Sequence, residues 1–318
     1  MLFTIESLHI PDGFLSIIVS IITWIVSIIM VGYAIRRAGQ EVGERQVPMM
    51  GVLAAAIFAG QMINFAVAGG TSGHLMGAAL ATILMGPWAA ILIMTSVVSI
   101  QALIFQDGGL LVLGANIFNM AIVGVAVSYM VYRSLIRLTG DSKRGIIFSG
   151  FSAAWLSIML AALSVALQLA ASGTSPARLA IPAMLGIHAL IGIGEGLITV
   201  GALTFLLAVR PDLVQSKMHP STSNRAVWVI GLLLALGLIL AAPLASARPD
   251  GLEWVAAQSG FIDKARAPLY ELIPDYLIPG MANESFATIL AGMLGALILV
   301  GLAIGMAYNH RKGDVSGG

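Results

Sequence analysis

The chain has 318 residues, 58% of them hydrophobic and only 10% charged, with a mean hydropathy of +0.97. A soluble domain carries roughly 25% charged residues, so the composition excludes a soluble globular protein. The balance of 16 basic against 15 acidic residues leaves no positive excess to neutralise nucleic acid. Cysteine is absent, which excludes disulfides, iron-sulfur clusters and thiolate metal sites and leaves imidazole, carboxylate or backbone ligands.

A membrane-spanning helix needs about 20 apolar residues. Apolar runs in chain order predict segments at Phe14 to Ile35, Val47 to Ala68, Leu75 to Met85, Trp88 to Phe105, Leu110 to Tyr132, Gly145 to Ala171, Ala183 to Val209, Val227 to Ser246 and Ala287 to Tyr308. The fold class is an all-α polytopic membrane bundle. The third segment rises only about 16 Å, and only the Gly86-Pro87 pair parts it from the fourth, so it reads as a short half-span or as half of one kinked helix.

Charge arbitrates between these. With nine segments, Arg36, Arg37, Arg45, Arg133, Arg137, Lys143, Arg144, Arg210, Lys217, Arg225, Arg311 and Lys312 fall on one side and Arg178, Arg248, Lys264 and Arg266 on the other. Merging the third and fourth would split that cluster, so the positive-inside rule keeps nine, with the N-terminus outside and the C-terminus cytoplasmic. The implied location is a membrane with one face toward the cytoplasm.

The polar stretch Pro211 to Arg225 separates seven spans from a final pair, giving a first unit over 1–212, a linker over 213–225 and a second unit over 226–318. The second unit encloses an outside loop from Ala247 to Glu284 whose Trp254, Phe261, Tyr270 and Tyr276 are expected to fold against something. No lysine follows a glycine, so the phosphate-binding loop of ATPases is missing.

Polar groups in apolar surroundings mark the candidate site, because burying them is costly. His9-Ile10-Pro11-Asp12-Gly13 forms a turn ahead of the first helix, where Asp12 reads as a cap or a site residue. Between the second and third segments, Asn64, Thr71, Ser72 and His74 surround a glycine-rich turn. On this topology His9 and His74 share the outer surface, and neutral imidazoles are common ligands for divalent transition metals. Asn116 and Asn119 share one helix face and Gln61 and Asn64 another, which suits interhelical hydrogen bonding or ligand contact. His188 and Glu195, flanked by glycines, share a face of the seventh span. Glu195 lies about 18 Å from the outer end of its predicted helix, too deep for a ligand at His9 and His74 unless the pocket is deep, so a structural or coupling role is expected for this pair. His219 and His310 lie in polar segments and read as solvated.

The stretches HIPDGFL, NFAVAGGTSGHLMGAAL, LMGPWAAILIM, QALIFQDGGLLVLGANIFNMAIVG and GIHALIGIGEGLIT resemble the CbiM/NikM family, the substrate-specific components of energy-coupling factor transporters for cobalt and nickel. The similarity runs over roughly residues 8 to 210, and Arg248-Pro249-Asp250-Gly251-Leu252-Glu253 resembles the PDGLE module of the NikN component. The resemblance implies uptake of Ni(II) or Co(II), with no tightly bound cofactor, no enzymatic activity of this chain and two kinds of partner: a transmembrane CbiQ/NikQ-like T component and CbiO/NikO-like ATPases.

It also implies a four-nitrogen metal plane of an N-terminal amine, the next backbone amide, the imidazole after it and a second imidazole from TSGHL. These carry over to His9 and His74, with the amine at Leu8 if translation starts there from an alternative codon. Asp12, Asn64, Thr71, Ser72 and Asn119 are then expected around the ligands. The alternatives are a self-sufficient proton-coupled carrier using His188 and Glu195, and cobalt for cobalamin synthesis in place of nickel.

Overall fold

The structure, a computed structural model, describes residues 9–43, 46–214 and 224–316. Its helices are α1 (Ile17–Glu41), α2 (Val47–Gln61), α3 (Ala78–Ile104), α4 (Leu113–Ile117), α5 (Gly124–Thr139), α6 (Lys143–Ala171), α7 (Ala177–Val209), α8 (Asn224–Ala241), α9 (Gly251–Gln258) and α10 (Glu284–Ser316). By length and apolarity, six helical stretches among the described residues can cross a membrane: α1, α3, α4 with α5, α6, α7 and α10; α2 and α8 are shorter apolar helices. The molecule is a multi-pass helical membrane bundle.

α1 shows the side-chain economy of such a bundle. Its buried face is Ser20, Thr23, Ser27, Ala34 and Ala38, while Ile17, Ile18, Ile21, Ile25 and Ile28 are exposed. Lipid solvates isoleucine as well as a protein core does, so small residues that permit close approach take the inner face. Here Ser27 donates to the Gly114 carbonyl at 2.7 Å, and a Cβ on Gly114 would lie 2.6 Å from the Trp24 backbone.

The run predicted as one span over Val47 to Ala68 is helical only to Gln61. Its last part instead forms β1 (Phe65–Val67), which pairs antiparallel with β2 (Thr71–Gly73), and the turn between them uses Gly69 and Gly70 at φ 86° and 84°. Left-handed backbone at two successive positions is costly for any residue with a Cβ, so these glycines fix the hairpin that apolarity alone concealed.

The third and fourth predicted segments fall in one stretch, α3, interrupted at Gly86 (φ 76°, ψ 169°) before Pro87. A straight helix of this length would hold its ends about 40 Å apart. Instead the residues flanking it meet at one histidine: His74 lies 5.7 Å from His9 between ring centroids, and Asp107 lies 2.9 Å from the His9 ring. α3 therefore doubles back at Gly86. Its short arm, Ala78 to Met85, rises about 12 Å and packs Leu80, Ile83 and Leu84 against Ile146, Leu203 and Leu206; its long arm starts at Trp88 beside Tyr33.

α4 and α5 are joined by a π-helical turn, Phe118–Val123, that carries Asn119. α6 and α7 pack closely, Gly192 and Gly196 lying against Trp155 and Phe151. The second unit clasps α2: Gly231 of α8 meets Val52, and Ala303 and Gly295 of α10 meet Gly51 and Phe58. Its loop folds onto the first unit, as its aromatics suggest. Phe261 packs edge-on against Phe14 at 5.1 Å, Tyr276 stacks on Phe105 at 4.7 Å, and the Tyr270 hydroxyl donates to the Leu103 carbonyl.

Candidate metal site

Five turns converge at one end of the bundle: residues 9–15, 62–77, 105–112, 172–176 and 245–277. The first is pinned by a carboxylate and an amide. Asp12 Oδ1 accepts from the Leu111 and Val112 amides at 2.9 and 3.2 Å, while the Asn116 side chain both accepts from Ile10 N and donates to Ile10 O at 3.1 Å. Asp12 does not cap α1; Ser16 does, accepting from Val19 N. Burial raises the Asp12 carboxyl above its ordinary range despite the amides that stabilise its charge.

His9 is buried and its Nδ1 lies 2.9 Å from Asp107 Oδ1. A carboxylate only accepts, so Nδ1 carries the proton and the ring's lone pair is on Nε2, the arrangement by which outer carboxylates orient metal-binding histidines. Burial works against a charged imidazolium here, but the facing Asp107 outweighs it and holds His9 above its ordinary value. Burial likewise works against the Asp107 carboxylate, and His9 and the Tyr276 hydroxyl reverse that and lower it. Tyr276 donates to Asp107 Oδ2 at 2.6 Å and accepts from Gln101 Nε2 at 3.1 Å. The second unit thus buttresses His9 through one carboxylate.

His74 follows β2 and is half-buried, with Nδ1 3.0 Å from the Leu75 carbonyl. The two residues after Leu75 are held from below: Glu195 accepts from Met76 N at 2.7 Å and Gly77 N at 3.0 Å. The 62–77 turn meets the carboxylate, which does not line the cavity at His9 and His74, so Glu195 anchors the start of α3.

A cavity of about 100 Å³ opens between these elements, lined by His9, His74, His188, Asn116, Asn119 and Asp250 among others. Asn119 is fixed by Gln168 and Ser164 at 2.7 to 3.0 Å. Thr71 and Ser72 face away from the cavity toward the second unit: the Ser72 hydroxyl donates to the Arg248 carbonyl at 2.7 Å, and Ser72 N and the Thr71 hydroxyl donate to the Pro249 carbonyl. The Asn64 carbonyl accepts from Ser246 N, and Asn64 does not line the cavity. Leu8 and His219 lie outside the described residues.

Two acids escaped the sequence reading. Asp107 lies in a short turn 98 residues from its histidine, and Asp250 was read only as part of the PDGLE motif. Burial pushes the Asp250 carboxyl up to about 8, against the Glu253 amide that stabilises its charge; a cation in the cavity would draw it down again. Among the described residues no three His, Asp or Glu side chains already stand close enough together to hold an ion.

Residues 9–213 match the family profile described as the cobalt uptake substrate-specific transmembrane region, CbiM, and residues 225–312 match the PDGLE domain. The chain belongs to the CbiM/NikM family. Behind its CbiM region it carries a NikN-like PDGLE module. It is 39% identical to a putative fused nickel transport protein NikMN of Archaeoglobus fulgidus over 95% of this chain and 98% of that one. A fused nickel transport protein NikMN of Rhodobacter capsulatus is 29% identical over 96% and 100%. A crystal structure titled as a transition metal transporter superposes on 63% of this CbiM-family chain and 93% of its own, with 32% identity and a TM-score of 0.57.

Proposed function

We propose that this chain captures Ni(II), with Co(II) as the alternative cargo, at the outer face of the cytoplasmic membrane and delivers it inward as the substrate-specific subunit of an energy-coupling factor transporter. The observation that carries this reading is the pair of imidazoles, His9 and His74, 5.7 Å apart in one cavity, each with Nδ1 beside an oxygen acceptor. With metal–nitrogen bonds near 2.0 Å, two rings on one ion have centroids within about 6.5 Å of each other. Imidazole donors suit nickel and cobalt alike, and the names of the fused relatives favour nickel.

In the four-nitrogen arrangement implied by the family resemblance, a backbone amide and its own imidazole chelate through Nδ1, since only that nitrogen closes a six-membered ring. His9 Nδ1 is on Asp107, so loading by that route requires the ring to leave the carboxylate. The amine falls at Leu8, and the intact mass of metal-competent protein tests whether the chain starts there. Retention of the seven preceding residues would require another donor.

Energy comes from separate ATPases acting through a transmembrane T component, the chain itself being a transporter subunit and not an enzyme. A proton relay through His188 and Glu195 has less support, because the Glu195 carboxylate is engaged by Met76 and Gly77 amides. Reconstitution separates the two: radiolabelled Ni(II) uptake requires the partner proteins and ATP, whereas uptake by this chain alone under a proton gradient would overturn the reading. Competition between Ni(II) and Co(II) in the same vesicles decides the cargo.

A further inference from the structure

The cavity has walls from both modules, and two of its polar side chains are not used by the His9 and His74 pair. His188 stands on α7 about 17 Å from the helix start, with Nδ1 2.7 Å from the Met184 carbonyl. A carbonyl only accepts, so Nδ1 carries the proton and Nε2 holds the lone pair, the tautomer of a ligating imidazole. The second module closes on that nitrogen. A Cβ on Gly251 would lie 3.2 Å from His188 Nε2 and 2.9 Å from Cε1, so glycine here lets the turn come this close.

Asp250, the residue before it, is 6% exposed and lines the same cavity. One of its oxygens accepts from Glu253 N at 2.6 Å, capping α9. A carboxylate has about four acceptor positions, so the cap leaves capacity toward the cavity. Asp250 is the only acid among the cavity's described lining residues.

We propose that Asp250 and His188 form a cation subsite at the junction of the two modules, which a divalent transition-metal ion contacts on its way to His9 and His74. The proposal rests on the metal-capture reading above. A doubly charged ion leaving water needs a compensating charge in a low-dielectric site; Asp107 supplies one behind His9 without lining the cavity, and Asp250 is the carboxyl that the ion can touch. Its position is tied to the ligand strand, because Thr71 and Ser72, just before His74, hold the Pro249 and Arg248 carbonyls. The PDGLE module thereby takes part in capture by contacting the cargo.

The test uses the full chain in lipid nanodiscs, with radiolabelled Ni(II) loading followed by rapid filtration and equilibrium binding by dialysis. Asp250→Asn keeps an oxygen for the α9 cap and removes the charge. Asp250→Asn should slow loading by about tenfold, the lower end of electrostatic effects on association, and His188→Gln, which removes the ligating lone pair, should slow it as well, with one ion still bound at saturation in both. Asp250→Glu should restore the rate to within about twofold of the unaltered chain, and the metal-free unfolding midpoint should not move with Asp250→Asn. Loading at the unaltered rate in both variants, with binding still abolished by His74→Ala, would overturn the subsite and leave the main site standing. Slow loading accompanied by a lowered unfolding midpoint and no rescue by Glu would overturn it too, making Asp250 a structural cap. Unaltered binding in His74→Ala would defeat the metal-capture reading itself.

Discussion

At the end that carries the imidazoles, turns from both modules are fastened to one another by side-chain hydrogen bonds: Asp12 to the Leu111 and Val112 amides, Asn116 to the Ile10 backbone, Ser72 to the Arg248 and Pro249 carbonyls, and Tyr276 through the Asp107 carboxylate to His9. Among the described residues, the opposite end is tied by fewer side chains, such as Arg210 to Asp212 and Thr139 to Ser149. There the helices end in exposed cations such as Arg36, Lys143 and Arg144, and an apolar cavity of about 360 Å³ runs from Arg210 toward Leu75 between α2, α3, α7 and α8. Hydrogen bonds are directional and fix side chains to fractions of an ångström, whereas apolar contacts between helices tolerate sliding. The contrast suits a molecule that must hold ligand atoms still at one end and shift helices at the other.

The strongest way to break this contrast is at the ligands. His74→Ala should abolish high-affinity Ni(II) binding, with the dissociation constant rising more than about 100-fold, or ~2.7 kcal/mol, in equilibrium dialysis; binding within tenfold of the unaltered chain would show that the polar end is scaffolding. Next comes the support behind His9. If His9 ligates through Nε2, Asp107→Asn should weaken binding by about 10- to 100-fold in the same dialysis, the usual cost of losing a partner that orients a metal-binding histidine; unchanged or tighter binding would mean that the ring leaves Asp107 and ligates through Nδ1. The apolar packing of α2, α3, α7 and α8 at the opposite end is untouched by this change.

The pH profile follows from the same pair. Metal and proton compete for His9, whose affinity for protons is raised by Asp107, so Ni(II) affinity should fall as the pH drops below neutral and recover as it rises. Isothermal titration across mildly acidic and neutral buffers reads this, and a flat profile would remove the imidazole from the ligand set. A smaller effect is expected from Gly86→Ala at the α3 reversal, about 1 to 3 kcal/mol of lost stability from a Cβ on backbone at positive φ, seen as a lowered unfolding midpoint. Smallest is Ser72→Ala, about 1 kcal/mol for the lost hydrogen bond; it should appear as faster amide exchange across α9 with little change over α6 and α7.

Much of this was legible in the residues. Apolar runs located the long helices, the charge distribution separated the arms of α3, and glycine-flanked turns singled out His9 and His74. The failures have physical causes. Phe65 to Ala68 is as apolar as the helix before it, so hydropathy could not see that Gly69 and Gly70 turn the chain into a hairpin. Asp107 looks like an ordinary turn acid, and nothing local marks it as the partner of a histidine near the chain's start. Glu195 was expected in a structural or coupling role, but its partners, the Met76 and Gly77 amides 119 and 118 residues away, could not be read from its own helix. His188 was weighed as a coupling residue; only the tertiary arrangement sets it in the same cavity as the other two imidazoles.

The central claim is that the cargo ion is held between His9 and His74 at the interlocked end. A crystal structure of the full chain soaked in Ni(II), with diffraction collected at the nickel absorption edge, tests it most directly. The account predicts one anomalous peak in the 100 Å³ cavity, about 2 Å from a nitrogen of each of His9 and His74. A fully occupied peak elsewhere, with neither imidazole in its coordination sphere, would contradict it.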